Sequence, residues 1–257
     1  MNRLEQLFID KPEKVLNIYF TAGFPSLSHT LPMIQSIQDS GADLVEVGIP
    51  FSDPVVDGET IQKANIKALD NGMSVDLLFQ QLKDLRKSIH IPVILMGDIN
   101  PVFQFGIERF CQKCQEVGID GLILPNLPMA EYLEDFKDLF DRYGLLNIFL
   151  ITPQTSEERI REIDHNSKGF IYMVSSASTT GSTSGVTPEM KEYFERVNAM
   201  KLSNPRLIGF GIKDKETFLQ ASEFANGAII GSAFIRAIQN PDTAIDSASE
   251  FIKSVLS

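Results

Sequence analysis

Short runs of β-branched and other apolar residues alternate with amphipathic stretches from one end of the chain to the other. Apolar runs of about four to eight residues bounded by turn residues are typical of buried strands, and apolar residues spaced three or four apart are typical of helices. We predict eight strands: Leu16–Gly23, Asp43–Ile49, Pro92–Ile99, Gly121–Leu127, Asn147–Thr152, Gly169–Ser175, Leu207–Ile212 and Gly227–Ser232. Between them we predict helices that include Leu77–Lys87, Ile107–Glu116, Ala130–Tyr143, Thr187–Asn198 and Ala244–Leu256.

Eight repeats of strand and helix in this length of chain predict an α/β fold, a (β/α)8 TIM barrel. An additional N-terminal helix is predicted at Leu4–Phe8, where it would close the bottom of the barrel. A doubly wound open sheet is the alternative, but no G-x-G-x-x-G motif follows the first strand. Because no linker or low-complexity tract divides the chain, we expect residues 1–257 to form a single barrel domain.

The charge of the chain limits its partners. The net charge is −11 and the sequence pI is about 4.8, which argues against nucleic acid or an anionic membrane as the main partner, because phosphate backbones require clustered Lys and Arg. The N-terminus, Met1–Phe8, lacks the apolar core of a signal peptide, and no segment approaches the ~18 apolar residues of a membrane span. We therefore expect a cytoplasmic protein.

The cysteines and histidines of the chain form no pattern typical of a metal site or a catalytic triad. Cys111 and Cys114 form a C-x-x-C within a helical pattern, without a second Cys pair or a nearby His to complete a zinc site. The three histidines, His29, His90 and His165, are scattered, so neither a metal site nor a Ser-His-Asp triad can be assembled. We predict no metal site, and we expect carboxylates to carry the chemistry.

Glu46 is the most informative residue, because it is a carboxylate inside an otherwise apolar predicted strand. An ionised carboxylate in an apolar interior is costly unless it is paired, hydrogen-bonded or protonated, so Glu46 is a candidate proton carrier with a raised pKa. Its structural alternative is an edge-strand acid or an acid paired with a distant Lys or Arg. Alternation along the strand places Glu46 on the face that would point into the barrel lumen.

Working residues of such barrels lie at the C-terminal ends of strands and in the loops that follow. Polar, aromatic and glycine residues at these positions are Tyr19, Thr21, Glu46, Asp57, Asp98, Asn100, Asn126, Tyr172, Gly211 and Gly231. The loop Ser175–Gly185 contains no large apolar residue, which favours a mobile lid over the site, with a plain solvated linker as the alternative. The glycine-rich ends Gly209–Ile212 and Gly231–Arg236 favour a phosphate site over mere tight turns, because bare backbone N–H groups and a helix starting at Ser232 would face one spot.

The segment Glu46–Gln62, which reads Glu-Val-Gly-Ile-Pro-Phe-Ser-Asp-Pro-Val-Val-Asp-Gly-Glu-Thr-Ile-Gln, resembles the signature of the tryptophan synthase α subunit family. The resemblance runs from Asn17–Pro25 to the last helix. It also includes Phe20–Pro25, Asn100-Pro101, Leu124–Pro128, Tyr172–Ser175, Gly209–Ile212 and Gly231–Ala233. It implies a lyase that cleaves indole-3-glycerol phosphate into indole and glyceraldehyde 3-phosphate by a retro-aldol reaction, in tryptophan biosynthesis and without a cofactor of its own.

The resemblance also implies roles for particular residues. Glu46 would carry protons, and Asp57 would stabilise the positive charge that develops at the indole N–H. Tyr19 and Tyr172 would line the pocket, and Thr180 would help align Asp57. The phosphate would be held by Gly181, Phe210, Gly211, Gly231 and Ser232. One departure from the family pattern lies in the pocket wall, where Gly97-Asp98 replaces the usual Gly-Tyr.

In this family the indole passes to a β subunit that carries pyridoxal phosphate. The resemblance therefore implies an αββα heterotetramer, with Pro50, Asp53, Asn100 and Pro128 on the interface side. Two other functions stay open: another phosphate-binding barrel enzyme, such as a sugar-phosphate isomerase or thiamine-phosphate synthase, and a non-catalytic activator of a β subunit. The pair Asp53 and Asp57 could serve a magnesium-dependent version of the first.

Overall fold

The computed structural model describes residues 1–54, 57–174, 187–209 and 211–257, and its centre is one sheet of parallel strands. The strands are β1 (Val15–Thr21), β2 (Leu44–Gly48), β3 (Val93–Met96), β4 (Gly121–Ile123), β5 (Leu146–Asn147), β6 (Leu150–Ile151), β7 (Ile171–Val174), β8 (Arg206–Gly209) and β9 (Gly227–Ile230). Every strand pair is parallel, and the spatial order is β5-β4-β3-β2-β1-β9-β8-β7-β6.

The sheet closes on itself through β5 and β6, which are two parts of the strand predicted over Asn147–Thr152. Strand β5 pairs with β4, and β6 pairs with β7, although only residues 148 and 149 separate them. The Ile148 amide still donates to the Leu122 carbonyl at 2.9 Å, and the Phe149 carbonyl accepts from the Tyr172 amide at 2.9 Å. The predicted (β/α)8 barrel is therefore confirmed, with its fifth strand broken in the middle.

Helices follow the strands around the barrel. They are α1 (Arg3–Asp10), α2 (Thr30–Asp39), α3 (Glu59–Asp70), α4 (Val75–Leu82), α5 (Ile99–Phe105), α6 (Ile107–Val117), α7 (Met129–Glu131), α8 (Lys137–Arg142), α9 (Glu157–Asn166), α10 (Pro188–Ala199), α11 (Lys215–Ser222), α12 (Ser232–Ala237) and α13 (Ala244–Leu256). Short 3₁₀ segments cover Leu27–His29 and Leu85–Lys87, and a π-helical turn, Tyr132–Phe136, joins α7 to α8. The single helix predicted over Ala130–Tyr143 is thus three consecutive helical segments.

Helix α1 lies across the N-terminal end of the barrel, as predicted. Leu4 and Phe8 are its buried residues, and the Phe8 and Phe170 rings lie 6.1 Å apart. The Asn2 side chain caps the helix and donates to the carbonyl of Asp120, the residue that precedes β4. Burial of two apolar side chains against the strand starts gives this helix its position.

The third strand ends earlier than the predicted range Pro92–Ile99. Ladder pairing stops at Met96, and Asp98 becomes the N-cap of α5, where its carboxylate accepts from the Asn100 amide at 2.9 Å. The N-cap Asp98 still has extended backbone, but the helix begins at the next residue, Ile99, so the strand cannot continue to Ile99. The strand therefore delivers Asp98 directly into the C-terminal mouth of the barrel.

Cys111 and Cys114 lie on the buried face of α6. Burial raises the pKa of the Cys111 thiol to about 12 and raises that of Cys114 well above its ordinary value. Such thiols are poor nucleophiles and poor metal ligands. Their role here is apolar packing, in line with the sequence interpretation.

Candidate active site

A pocket that is open to solvent lies at the C-terminal ends of β1 to β4. Its walls are a mixture of apolar side chains, backbone and four acid or amide groups. The lining residues are Tyr19, Ile49, Phe51, Pro54, Asp57, Asn65, Met96, Gly97, Asp98, Pro125 and Asn126. Apolar walls with a few convergent polar groups are typical of a site for a small-molecule ligand.

Glu46 lies in the barrel lumen below this pocket and is 1% exposed. Its Oε2 accepts a hydrogen bond of 2.8 Å from Nδ2 of Asn17 on β1. Burial raises the pKa of Glu46 to about 8; the Asn17 hydrogen bond acts in the opposite direction, and the nearby Asp57 carboxylate adds to the rise. A carboxyl group with this pKa can both give and accept a proton near neutral pH.

Asp57 lies at the pocket wall, just before α3 begins at Glu59. Burial raises its pKa to about 6, a hydrogen bond from Asn65 lowers it, and the charge of Asp98 raises it. Nδ2 of Asn65 donates to Oδ2 of Asp57 at 3.1 Å, and Gln62 donates to the Asp57 carbonyl at 2.8 Å. Asp57 is therefore held in place by α3 and is ionised at neutral pH.

A chain of polar contacts links Asp57 back to the barrel strands. The Asn65 oxygen accepts from the Thr21 hydroxyl at 3.3 Å, and the Thr21 and Tyr19 hydroxyl oxygens are 3.4 Å apart. Thr21, Asn65 and Tyr19 are all buried. These contacts give the Asn65 amide a defined orientation, with its oxygen towards β1 and its nitrogen towards Asp57.

Two tyrosines fill the lumen beside the acids, and glycines leave space for them. A Cβ atom at Gly48 would overlap the Tyr19 hydroxyl, and one at Gly209 would overlap the Tyr172 hydroxyl. Tyr19 is 4% and Tyr172 is 5% exposed, and burial together with the nearby Glu46 and Asp57 carboxylates raises the pKa of both phenols. Both hydroxyls are therefore neutral and can act as hydrogen-bond donors.

The predicted phosphate residues are described in part. Gly231 is the N-cap of α12, Ser232 is its first residue, and both are half-buried on the side of the barrel next to β1. Gly211 is exposed and has φ +79°, a backbone conformation that favours glycine. Thr180, Gly181 and Phe210, together with the predicted lid Ser175–Gly185, lie outside the described residues.

The predicted interface residues all follow strand C-terminal ends. Asp53, Asn100 and Pro128 are exposed, whereas Pro50 is covered by its own chain. Asn100 lies in the first turn of α5, and Pro128 is the N-cap of α7. Their contact with a partner stays a prediction, and for Pro50 the structure favours shaping of the loop over direct contact.

Sequence reasoning missed two amides that the structure places against the acids, Asn17 and Asn65. A signal existed for Asn65, because it shares a stripe with Ile61, Ala64 and Ala68 at helical spacing, where an apolar residue is usual. Asn17 likewise lies between apolar neighbours in the first predicted strand. A polar residue in an apolar stripe is therefore a second way to find a site.

The chain resembles known proteins over its full length. The sequence model of the family described as "Tryptophan synthase alpha chain" matches residues 7–255. Tryptophan synthase alpha chains from Christiangramia forsetii and Flavobacterium psychrophilum are 56% and 52% identical, over 99% of this chain and 98% and 100% of theirs. The chain belongs to the tryptophan synthase alpha chain family.

Solved structures agree with this assignment. The crystal structure of the tryptophan synthase alpha chain from Legionella pneumophila has a TM-score of 0.88 and 34% identity, covering 99% of this chain and 96% of that one. The alpha reaction of the family is the cleavage of indole-3-glycerol phosphate in tryptophan biosynthesis, so this chain is a carbon–carbon lyase. The family forms complexes with a beta subunit, which carries the pyridoxal phosphate.

Proposed function

We propose that the chain cleaves indole-3-glycerol phosphate with Glu46 as the proton carrier and Asp57 as the group that stabilises the indole nitrogen. The observation that carries this proposal is the pair of buried carboxyl groups, whose environments raise their pKa values to about 8 and about 6. At neutral pH Glu46 is then protonated while Asp57 is ionised. Two acids whose pKa values are separated by their environments can divide acid and base roles between them.

The reaction begins when protonated Glu46 gives its proton to C3 of the indole ring. Positive charge then spreads to the ring nitrogen, where the Asp57 carboxylate accepts a hydrogen bond from the N–H. Glu46, now ionised, takes the proton from the side-chain hydroxyl next to C3. The C3–carbon bond breaks, its electron pair restores the aromatic ring, and the hydroxyl oxygen becomes the aldehyde of glyceraldehyde 3-phosphate. Glu46 ends the turnover protonated, ready for the next.

The substrate phosphate is proposed to bind beside β8 and β9. Gly211, Gly231 and Ser232 would offer backbone N–H groups and a hydroxyl, together with Gly181 and Phe210. Tyr19 and Tyr172 would contact the part of the substrate that lies between the phosphate and the indole, and Thr180 would help align Asp57. Ser232 lies in the first turn of α12, which supports binding of the phosphate at this place.

We propose that the chain assembles with its beta subunit as an αββα heterotetramer through the face that carries Asp53, Asn100 and Pro128, with Pro50 shaping the loop. We also propose a cytoplasmic location and one barrel domain over residues 1–257. Among the helices of the described ranges, none is long and apolar enough to cross a membrane. A single cooperative unfolding transition would support the one-domain assignment.

The test is indole release from indole-3-glycerol phosphate in the presence of EDTA, by wild type, Glu46→Gln and Asp57→Asn, each with and without the beta subunit. The protein contains no Trp, so it contributes no indole fluorescence. We expect wild type to release indole and both variants to lose most of that activity. Wild-type activity that EDTA removes would support the magnesium alternative. Within the described residues, no group of three His, Cys, Asp or Glu side chains is placed to bind a metal. Partner activation without any indole release would support the non-catalytic alternative.

A further inference from the structure

Asn17 is completely buried in the middle of β1, and its side chain points towards Glu46 on the neighbouring strand. Its Nδ2 donates to Oε2 of Glu46 at 2.8 Å. Its Oδ1 is buried and has no hydrogen-bond partner among the described residues. An unpaired buried carbonyl oxygen destabilises a protein, so this arrangement asks for an explanation.

We propose that Asn17 is a positioning residue that binds both protonation states of Glu46 during one turnover. A carboxamide carries a donor and an acceptor on the same planar group. Its NH₂ donates to Glu46 when the carboxyl group is ionised. When Glu46 carries a proton, the amide turned by about 180° offers Oδ1 as the acceptor in the same place. The orphan oxygen is thus the acceptor that the protonated state uses.

This inference rests on the proposed function, in which Glu46 alternates between acid and base. The titratable groups that face Glu46 are Tyr19 on β1, Asp57 before α3 and Tyr172 on β7. Burial and the Asp57 charge both disfavour ionised Glu46, whereas the Asn17 hydrogen bond favours it. Asn17 therefore stabilises the carboxylate that must exist after the proton has moved to C3.

An apolar or a cationic side chain at this position would not serve both states. A leucine of similar size offers neither donor nor acceptor, and a lysine would hold Glu46 permanently ionised. An amide leaves the carboxyl group neutral at rest and still solvates its anion. Asn17 consequently limits the cost of each proton transfer without adding a charge to the lumen.

The test compares Asn17→Leu and Asn17→Ala with Asn147→Leu and Asn147→Ala, in the complex with the beta subunit. Asn147 is a matched control, because it is also a buried strand asparagine whose Oδ1 lacks a partner among the described residues, and its strand β5 contributes no side chain to the pocket lining. The measurements are kcat, KM and the pH dependence of indole release. Circular dichroism reports folding, and the alanine variant serves if leucine does not fit.

For the Asn17 variants we expect kcat to fall about tenfold, the size of a lost hydrogen bond to a charged group, with KM unchanged within about twofold. The alkaline limb of the pH profile should move up by about one pH unit, because the ionised form of Glu46 has lost its donor. The Asn147 variants should change neither quantity. An equal loss of kcat in both sets, or an unmoved limb, would overturn the proposal. If Glu46→Gln is inactive in that case, the proposed function stands; an active Glu46→Gln overturns both.

Discussion

Asp120 at the N-terminal end of the barrel and Glu46 towards its C-terminal end are both buried, at 2% and 1% exposed, but they have different partners. The Asp120 oxygens bind Arg3 and Arg86, and Oδ2 also accepts from the Val93 amide at 2.9 Å. Glu46 has the neutral amide of Asn17 and, within the described ranges, no salt bridge to Lys or Arg.

The different partners fit different roles: Asp120 stabilises the fold, whereas Glu46 is proposed to transfer protons. Two arginines pair with the buried Asp120 carboxylate and hold α1 and the 3₁₀ segment Leu85–Lys87 against the start of β4. Burial raises the pKa of Glu46 to about 8, and its neutral amide partner lowers it too little to ionise the group at neutral pH. With the proposed role of Glu46, the same barrel has a buried acid as an anchor at one end and a proton carrier towards the other, which agrees with the placement of active sites at the C-terminal ends of barrel strands.

The largest expected effect tests the acid towards the C-terminal end of the barrel. Glu46→Gln keeps the size of the side chain but removes the proton, so we expect indole release to fall by about a thousandfold or more. Unfolding in urea should show no loss of stability, because a neutral amide replaces a carboxyl group that burial disfavours. Glu59→Gln is the control, since Glu59 is an exposed acid paired with Lys63 at the start of α3. Its activity should equal that of wild type.

The next largest effect tests the acid at the N-terminal end of the barrel. Asp120→Asn removes the carboxylate and leaves the cations of Arg3 and Arg86 without their buried partner, so we expect a loss of about 3 kcal/mol in the free energy of unfolding. Indole release by the folded protein should stay within about twofold of wild type. Asp84→Asn, which breaks the exposed pair with Lys87, should cost at most about 0.5 kcal/mol. Equal losses in the two variants would remove the distinction drawn here.

The pH profile of wild type tests the difference between Glu46 and Asp57, the two acids proposed to be catalytic. In the proposed mechanism activity requires ionised Asp57, so it should fall as the pH drops through about 6. The proposed mechanism also requires protonated Glu46, so activity should fall as the pH rises through about 8. We expect a bell-shaped dependence of kcat/KM, with each limb reaching a tenfold change per pH unit. A flat profile between pH 5 and 9 would contradict the proposed roles.

The smallest effect concerns Asp98, the acid that stands in the pocket wall. Its charge raises the pKa of Asp57, so Asp98→Asn should lower that pKa and move the acidic limb to lower pH, by about half a unit. The alkaline limb should stay in place. Asp76→Asn, at an exposed acid of α4 paired with Arg109, is the control and should move neither limb. An acidic limb that does not move would show that Asp98 does not act on Asp57.

The sequence alone determined the architecture and two of the acids. Alternating strand and helix patterns predicted eight β/α units, because each pattern reports which local face must be buried. Strand alternation predicted that Glu46 points into the barrel lumen. The segment Glu46–Gln62 predicted that Asp57 lies at the same C-terminal end of the barrel. The helix at Ala244–Leu256 was predicted to the residue, since its apolar stripe is long and regular.

Tertiary structure decided the partners. Asn17 meets Glu46 across 29 positions, and Asp98 acts on Asp57 from another strand end, contacts that barrel closure creates and no local period reports. The break between β5 and β6 also belongs to this level, because it depends on pairing with β4 on one side and β7 on the other. Local patterns say which side chains are buried. Only the closed barrel decides which buried acid meets a cation and which meets an amide, and that choice separates the anchor Asp120 from the proton carrier proposed at Glu46.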